Sequence, residues 1–242
     1  MYTETLRETT ANAANPLNEF TAGVTKAVPV MMGYVPIAIA YGVLAREAGL
    51  TLWETVAMSL FLYAGAAQFI AVGMFAAAMS PFTMIFTTFL VNLRHLLMSA
   101  SLAPYLKGRG FRSLALLGTG VTDETFAVNY AEFSKAPRSH YFMYGVNLAS
   151  YSSWVTGSLI GAMAGQFIPG LDRLPLDFAL PAMFICLLVI MLRNNLMIAM
   201  AVLAGGLSLL LASLIEGNWN IILATVIAAT VGAGWEKCRK RS

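Results

Sequence analysis

Residues 55–93 read TVAMSLFLYAGAAQFIAVGMFAAAMSPFTMIFTTFLVNL, thirty-nine positions without a single Asp, Glu, Lys or Arg. A helix needs about 20 mostly apolar residues to cross a bilayer core, so this stretch has the length for two crossings. It lacks a sustained period-2 alternation, which favours helices over a transmembrane barrel. Similar uncharged runs recur at Ala27–Ala45, Ser139–Leu171, Asn194–Ile215 and Gly217–Trp235. Over all 242 residues, 58% are hydrophobic and only 11% charged, against roughly 25% charged in a soluble domain. Such a chain cannot cover itself with polar surface, and lipid is its expected solvent.

The expected fold is an all-α, polytopic integral membrane bundle of seven to eight segments, some broken or re-entrant. Seven segments fall at 27–45, 55–78, 82–106, 141–168, 178–193, 194–215 and 218–235, and an eighth at 113–133 carries Asp123, Glu124, Asn129 and Glu132. An unaided span with those acids is expensive, so 113–133 is expected to enter and leave on one side or to be shielded. The domains predicted are a polar N-terminal segment 1–26, a transmembrane domain 27–235 and a basic tail 236–242. The first 26 residues lack the apolar stretch of a cleaved signal peptide.

Positive charge gives orientation. Lys107, Arg109 and Arg112 share one loop, Lys135 and Arg138 the next, and Lys237, Arg239, Lys240 and Arg241 crowd the last six residues. The positive-inside rule places all of these in the cytoplasm. With 113–133 returning to the side it enters from and the other segments counted as spans, the same parity puts the N-terminus outside, which Lys26 does not support, so its side stays open. The net charge of +3 is accounted for by these anchors, and no basic face with interleaved aromatics suggests nucleic acid. Two cysteines, Cys186 and Cys238, are too far apart in the chain to suggest a disulfide, and with two histidines a metal site is not expected. No G-x-S-x-G, H-E-x-x-H or phosphate-loop motif is present, and the chain reads as neither an enzyme nor the holder of a cofactor.

Arg94 and His95 sit at the middle of 82–106, a helix of roughly 37 Å. An arginine at that depth costs on the order of 3 kcal/mol by insertion scales, so it must face protein or water. Two readings stay open: a structural ion pair with Asp123 or Glu124, or a guanidinium fork for a substrate carboxylate. His95 can change charge near neutral pH and could relay a proton, as could Asp123 or Glu124. Ala64-Gly65-Ala66-Ala67-Gln68-Phe69 is either a packing face or a local helix break whose backbone and Gln68 amide bind solute. Pro29, Gly33, Pro36 and Gly42 suggest a similar break in the first span. Trp154, Gly157, Gly161 and Gly165 read as a packing face. Asn92, Asn147, Asn194 and Asn195 add polar groups at membrane depth. Ala48-Gly49-Leu50 has a faint echo at Pro169-Gly170-Leu171, and whether it reflects an internal repeat or chance stays open.

Several of these stretches together resemble the AzlC family, the large subunit of bacterial branched-chain amino-acid exporters. They are Gly33-Tyr34-Val35-Pro36 with Tyr41-Gly42, Ser59 through Phe69, Asn92-Leu93-Arg94-His95 with Leu97-Met98-Ser99, Thr122 through Phe126, Trp154 with Gly157, and Phe178 through Phe184. The resemblance spans about residues 27 to 235 and is less distinctive from 194 onward. It implies a secondary transporter of the cytoplasmic membrane exporting leucine, isoleucine and valine, with methionine as a further cargo, driven by protons, with a small hydrophobic AzlD-type partner subunit. A passive channel or facilitator for a small solute is the alternative. The candidate substrate-binding residues are Arg94, Gly65, Gln68, Asn92 and Pro36. Those for proton coupling or an ion pair are His95, Asp123 and Glu124.

Overall fold

The computed structural model describes residues 15–165, 195–214 and 219–239, together with Phe178, Ile185, Leu188, Val189 and Leu192. Its helices are α1 (Pro16–Glu47), α2 (Leu52–Phe61), α3 (Gly65–Ala76), α4 (Pro81–Leu102, continued by one 3-10 turn to Leu106), α5 (Phe111–Thr119), α6 (Asp123–Lys135), α7 (His140–Ala164), α8 (Asn195–Ala212) and α9 (Trp219–Arg239). No strand occurs among the described residues. The chain divides into two compact units, Met1–Met183 and Phe184–Ser242.

The first unit is built on a seam between α1 and α7. The two helices run parallel: Glu19 meets Ser139 at one end, Tyr34 meets Trp154 halfway, and Gly42 meets Ser158 to Ala162 near the other. Glycines let the backbones touch, since a Cβ on Gly161 would fall inside the Ile39 carbonyl and one on Gly42 inside that of Ser158. Membrane helices associate through such close van der Waals approach, because lipid offers no hydrophobic drive between them. The glycines at 157 and 161 therefore pack, as the sequence suggested.

Two helical hairpins enter this frame from opposite ends. In the first, α2 runs back along α1 from a capping box at Thr51 and Glu54 to a break at Leu62–Ala64, and α3 then returns. Both arms lie against the far half of α1. Tyr41 donates to the Thr55 carbonyl at 3.1 Å and stacks edge-on to Phe69, and the Phe75 ring comes 4.0 Å from where a Gly49 Cβ would stand. In the second, α5 climbs beside α7, turns at Gly120–Thr122, and α6 descends beside α1. Ser113 meets Tyr144, Asn147 donates to the Leu117 carbonyl, Tyr34 contacts Glu124, and Lys26 pairs with Glu132. A Thr122–Thr125 capping box opens α6. Between the hairpins α4 runs full length, turning Phe82, Ile85, Phe86, Phe89 and Leu96 outward. That apolar outer face suits lipid.

One end of the unit carries the positive charge. Buried Glu19 accepts from Arg138 at 3.1 Å and from the Ser139 amide at 2.9 Å, and Glu132 accepts from Arg138 at 3.0 Å. The N-terminal end of α1 thus lies with the basic loops.

Residues 55–78 hold two helices, the arms α2 and α3, and 113–133 falls in the hairpin α5–α6, forms that the expectation of broken or re-entrant segments allows. Three described helices are long and apolar enough to cross a membrane: Pro16–Glu47, Pro81–Leu106 and Asn195–Ala212. Counting α2–α3 as a hairpin also removes the parity conflict over Lys26. The break expected in the first span is absent, since α1 continues through Pro29 and Pro36. Each proline removes one internal hydrogen bond, and the packing of α1 along α7 holds the helix. Helix α1 begins at Pro16, inside the segment expected to be merely polar.

In the second unit α8 and α9 pack together, and a Gly232 Cβ would meet Met200 at 3.2 Å. Most of 178–193, the Pro169–Leu171 echo, Asn194, Cys186 and the last residues of the tail lie outside the described residues.

Candidate functional site

The hairpin tips meet beside the midpoints of α1, α4 and α7. Tyr63, Ala64, Gly65 and Ala66 come from the first tip; Thr122, Asp123 and Glu124 come from the second. With Tyr34, Arg94, His95 and Trp154 they line one cavity. In this conformation it has room for about one water molecule.

The second tip is held by side chains of three elements. Arg94 Nη1 stands 2.8 Å from Asp123 Oδ2. The Tyr34 hydroxyl donates to Glu124 Oε2 at 2.7 Å and lies 2.6 Å from Thr122 Oγ1. Asn129, fully buried, donates to Asn147 Oδ1 at 3.1 Å and fixes α6 against α7. Two acids thus stand side by side at the start of α6, where the positive end of a helix dipole favours them.

A buried relay holds the first tip. Trp154 Nε1 donates to Gln68 Oε1 at 2.7 Å, Gln68 Nε2 to Ser59 Oγ at 3.0 Å, and Ser59 to Ser158 Oγ at 2.8 Å. Ser158 closes the loop on the Trp154 carbonyl at 2.9 Å. Because Ser59 belongs to α2 and Gln68 to α3, the relay staples the two arms to each other and to α7. The start of α3 carries no side-chain cap, so its first backbone N–H groups lack internal partners. Gly65 is required at the tip because a Cβ there would come 2.6 Å from Trp154 Cη2.

Of the residues singled out in the sequence, Arg94, His95, Asp123, Glu124 and Gly65 line the cavity. Gln68 does not: it is fully buried behind the tip, with both ends of its amide engaged. Asn92 stands two residues before Arg94 with its Oδ1 buried and without a hydrogen-bond partner. Pro36 is exposed on α1, away from the lining. Sequence reasoning missed Tyr34, Tyr63 and Thr122 as lining residues, and took Trp154 for packing alone. Aromatic and small residues in an apolar run read as core, and only the folded tips turn them inward.

Among the described residues the chain is helical, and a polar, charge-lined cavity lies between the two hairpin tips. A family model, described as AzlC protein, matches residues 29–168, and the chain belongs to that family. It is similar to the branched-chain amino acid transport protein AzlC of Bacillus subtilis, with 30% identity over 198 residues, 81% of this chain and 77% of the relative. It is 35% identical to the inner membrane protein YgaZ of Escherichia coli over 197 residues, 78% and 80% of the two chains. A membrane protein of Archaeoglobus fulgidus, described as uncharacterized, is 32% identical over 220 residues, 90% and 95% of the two. No solved structure matches the chain.

Proposed function

We propose that the chain is the large subunit of a secondary transporter that exports branched-chain amino acids across the cytoplasmic membrane. In this reading its C-terminus is cytoplasmic, a proton gradient supplies the energy, and a small hydrophobic AzlD-type subunit completes the carrier. The observation that carries the reading is the cavity at the midpoints of α1, α4 and α7, where Arg94, Asp123, Glu124 and His95 converge. An amino acid needs a donor for its carboxylate, an acceptor for its ammonium and an apolar pocket for its side chain. Arg94 or the free amides at Gly65 serve the first need, Asp123 or Glu124 the second, and the aromatic walls the third. A narrow cavity between opposed hairpins supports alternating access, in which the tips part toward one side at a time. In this reading His95, beside the ion pair, takes the coupled proton.

The test is efflux of radiolabelled leucine from cells expressing the chain with its small neighbour. Export against a leucine gradient, lost on proton uncoupling, is expected. Flux that never runs uphill would instead make the protein a passive facilitator. Arg94→Ala is expected to abolish efflux while leaving the protein inserted.

A further inference from the structure

Three features of the cavity point to one ligand group. The Tyr63 hydroxyl is buried near that of Tyr34, which already bonds Thr122 and Glu124, and makes no well-formed hydrogen bond of its own. Nε2 of His95, on the same lining, is also buried without one. Both lie with Gly65 and Ala66, whose amides open a twelve-residue helix that no side chain caps. Native proteins rarely leave buried polar atoms unsatisfied, and a hydroxyl, a ring nitrogen and helix-end amides sharing one small space call for a ligand with oxygen acceptors.

We infer that the first tip is the carboxylate subsite, with the Tyr63 hydroxyl and the Gly65 and Ala66 amides donating to the substrate carboxylate. This rests on the transporter reading and changes one part of it. Arg94 becomes a positioning residue: its Nη1 is engaged 2.8 Å from Asp123 Oδ2, so its fork steadies the second tip. The substrate's ammonium then faces the second tip, where Glu124 is held by Tyr34. Helix dipoles support the assignment, because the start of α3 is positive and, unlike the start of α6, bears no acid of its own. Tyr63 therefore selects for the acid group of the substrate.

Tyr63→Phe is the test, because it keeps the ring and breaks no well-formed hydrogen bond. Leucine accumulation is measured in inside-out membrane vesicles from cells expressing the full chain and its small neighbour. Competition is measured with 4-methylpentanoate, which keeps the carboxylate alone, and with leucinol, which keeps the ammonium alone. The variant is expected to raise the KM for leucine and the inhibition constant of 4-methylpentanoate about tenfold, the loss of one charge-assisted hydrogen bond. Its leucinol inhibition and its melting temperature should match the parent protein. An unchanged leucine KM overturns the assignment, as does equal weakening of both competitors, while leaving the transporter reading standing. Failure of the parent protein to accumulate leucine would overturn the transporter reading and this assignment with it.

Discussion

Arg94 and Asp123 are joined at 2.8 Å across two different elements, the middle of α4 and the tip of the second hairpin. Neither side chain is fully enclosed, at 31% and 22% exposure; Arg94 sits midway along α4, which otherwise shows an apolar face, and Asp123 is the first residue of α6. The pair ties the tip of the second hairpin to the middle of α4, far from the short loop that joins α4 to α5.

A double-mutant cycle should expose that role. Arg94→Ala leaves the Asp123 carboxylate without its cation, and partial exposure reduces the penalty of a fully buried break to about 2 kcal/mol. Asp123→Ala should be as costly. The double variant is expected to recover about 1–2 kcal/mol relative to the sum of the singles. Thermal unfolding of all four proteins in one detergent measures this, and strict additivity would refute the coupling.

The relay behind the first tip makes a different demand. Trp154→Phe keeps most of the ring volume but strips the donor from Gln68 Oε1, which is buried. An orphaned buried acceptor costs about 1–3 kcal/mol. Adding Gln68→Leu should restore part of that loss by removing the orphan, though it breaks the link to Ser59. If Trp154→Phe melts with the parent protein, the relay holds nothing.

How far the sequence reveals this arrangement differs between the two hairpins. The second announces itself, because Asp123 and Glu124 within an apolar stretch rule out an unaided span and leave re-entry or shielding. The first is half-concealed: residues 55–78 hold no charge and have the length of one crossing, and only the small residues from Ala64 to Ala67 hint at a break. What folds them back is the pairing of Ser59 with Gln68 and of both arms with α1, contacts between residues that composition alone does not bring together. The charged lining at Arg94, His95, Asp123 and Glu124 is legible because charge in an apolar run demands a reason. Tyr34 and Tyr63 are not, because an aromatic in such a run is ordinary core until its hydroxyl is seen to point inward.

Glycine substitutions separate seam from surface. Gly161→Ala drives a methyl into the Ile39 carbonyl, and backbone on both sides leaves no flexible group to yield. Separation of α1 from α7 is expected to cost about 3 kcal/mol or more, in the range of overpacked cores. Gly206 meets nothing within 4 Å, so Gly206→Ala should be neutral or gain about 1 kcal/mol from helix propensity. Folded yield by fluorescence-detected size-exclusion chromatography ranks the two. Equal yields would show that α1 and α7 do not approach through their glycines.

The hairpin topology makes a prediction that spans cannot satisfy. If α2 and α3 form two arms entering and leaving at one end, Thr51 and Ala77 face the same side of the membrane, whereas a single span over 55–78 would put them on opposite sides. Positions 110 and 136, flanking α5 and α6, should both be on the other side, with the basic loops. In a variant lacking Cys186 and Cys238, single cysteines are introduced at Thr51, Ala77, Gly110 and Ala136 and challenged with a membrane-impermeant maleimide on intact cells, then on inverted vesicles. Cysteines at 51 and 77 should react on intact cells and those at 110 and 136 on inverted vesicles, because positive charge keeps the latter loops inside. Reaction of 51 and 77 from opposite sides would return 55–78 to a full crossing, separate the two tips, and dismantle the cavity that Tyr63 and Glu124 are argued to share.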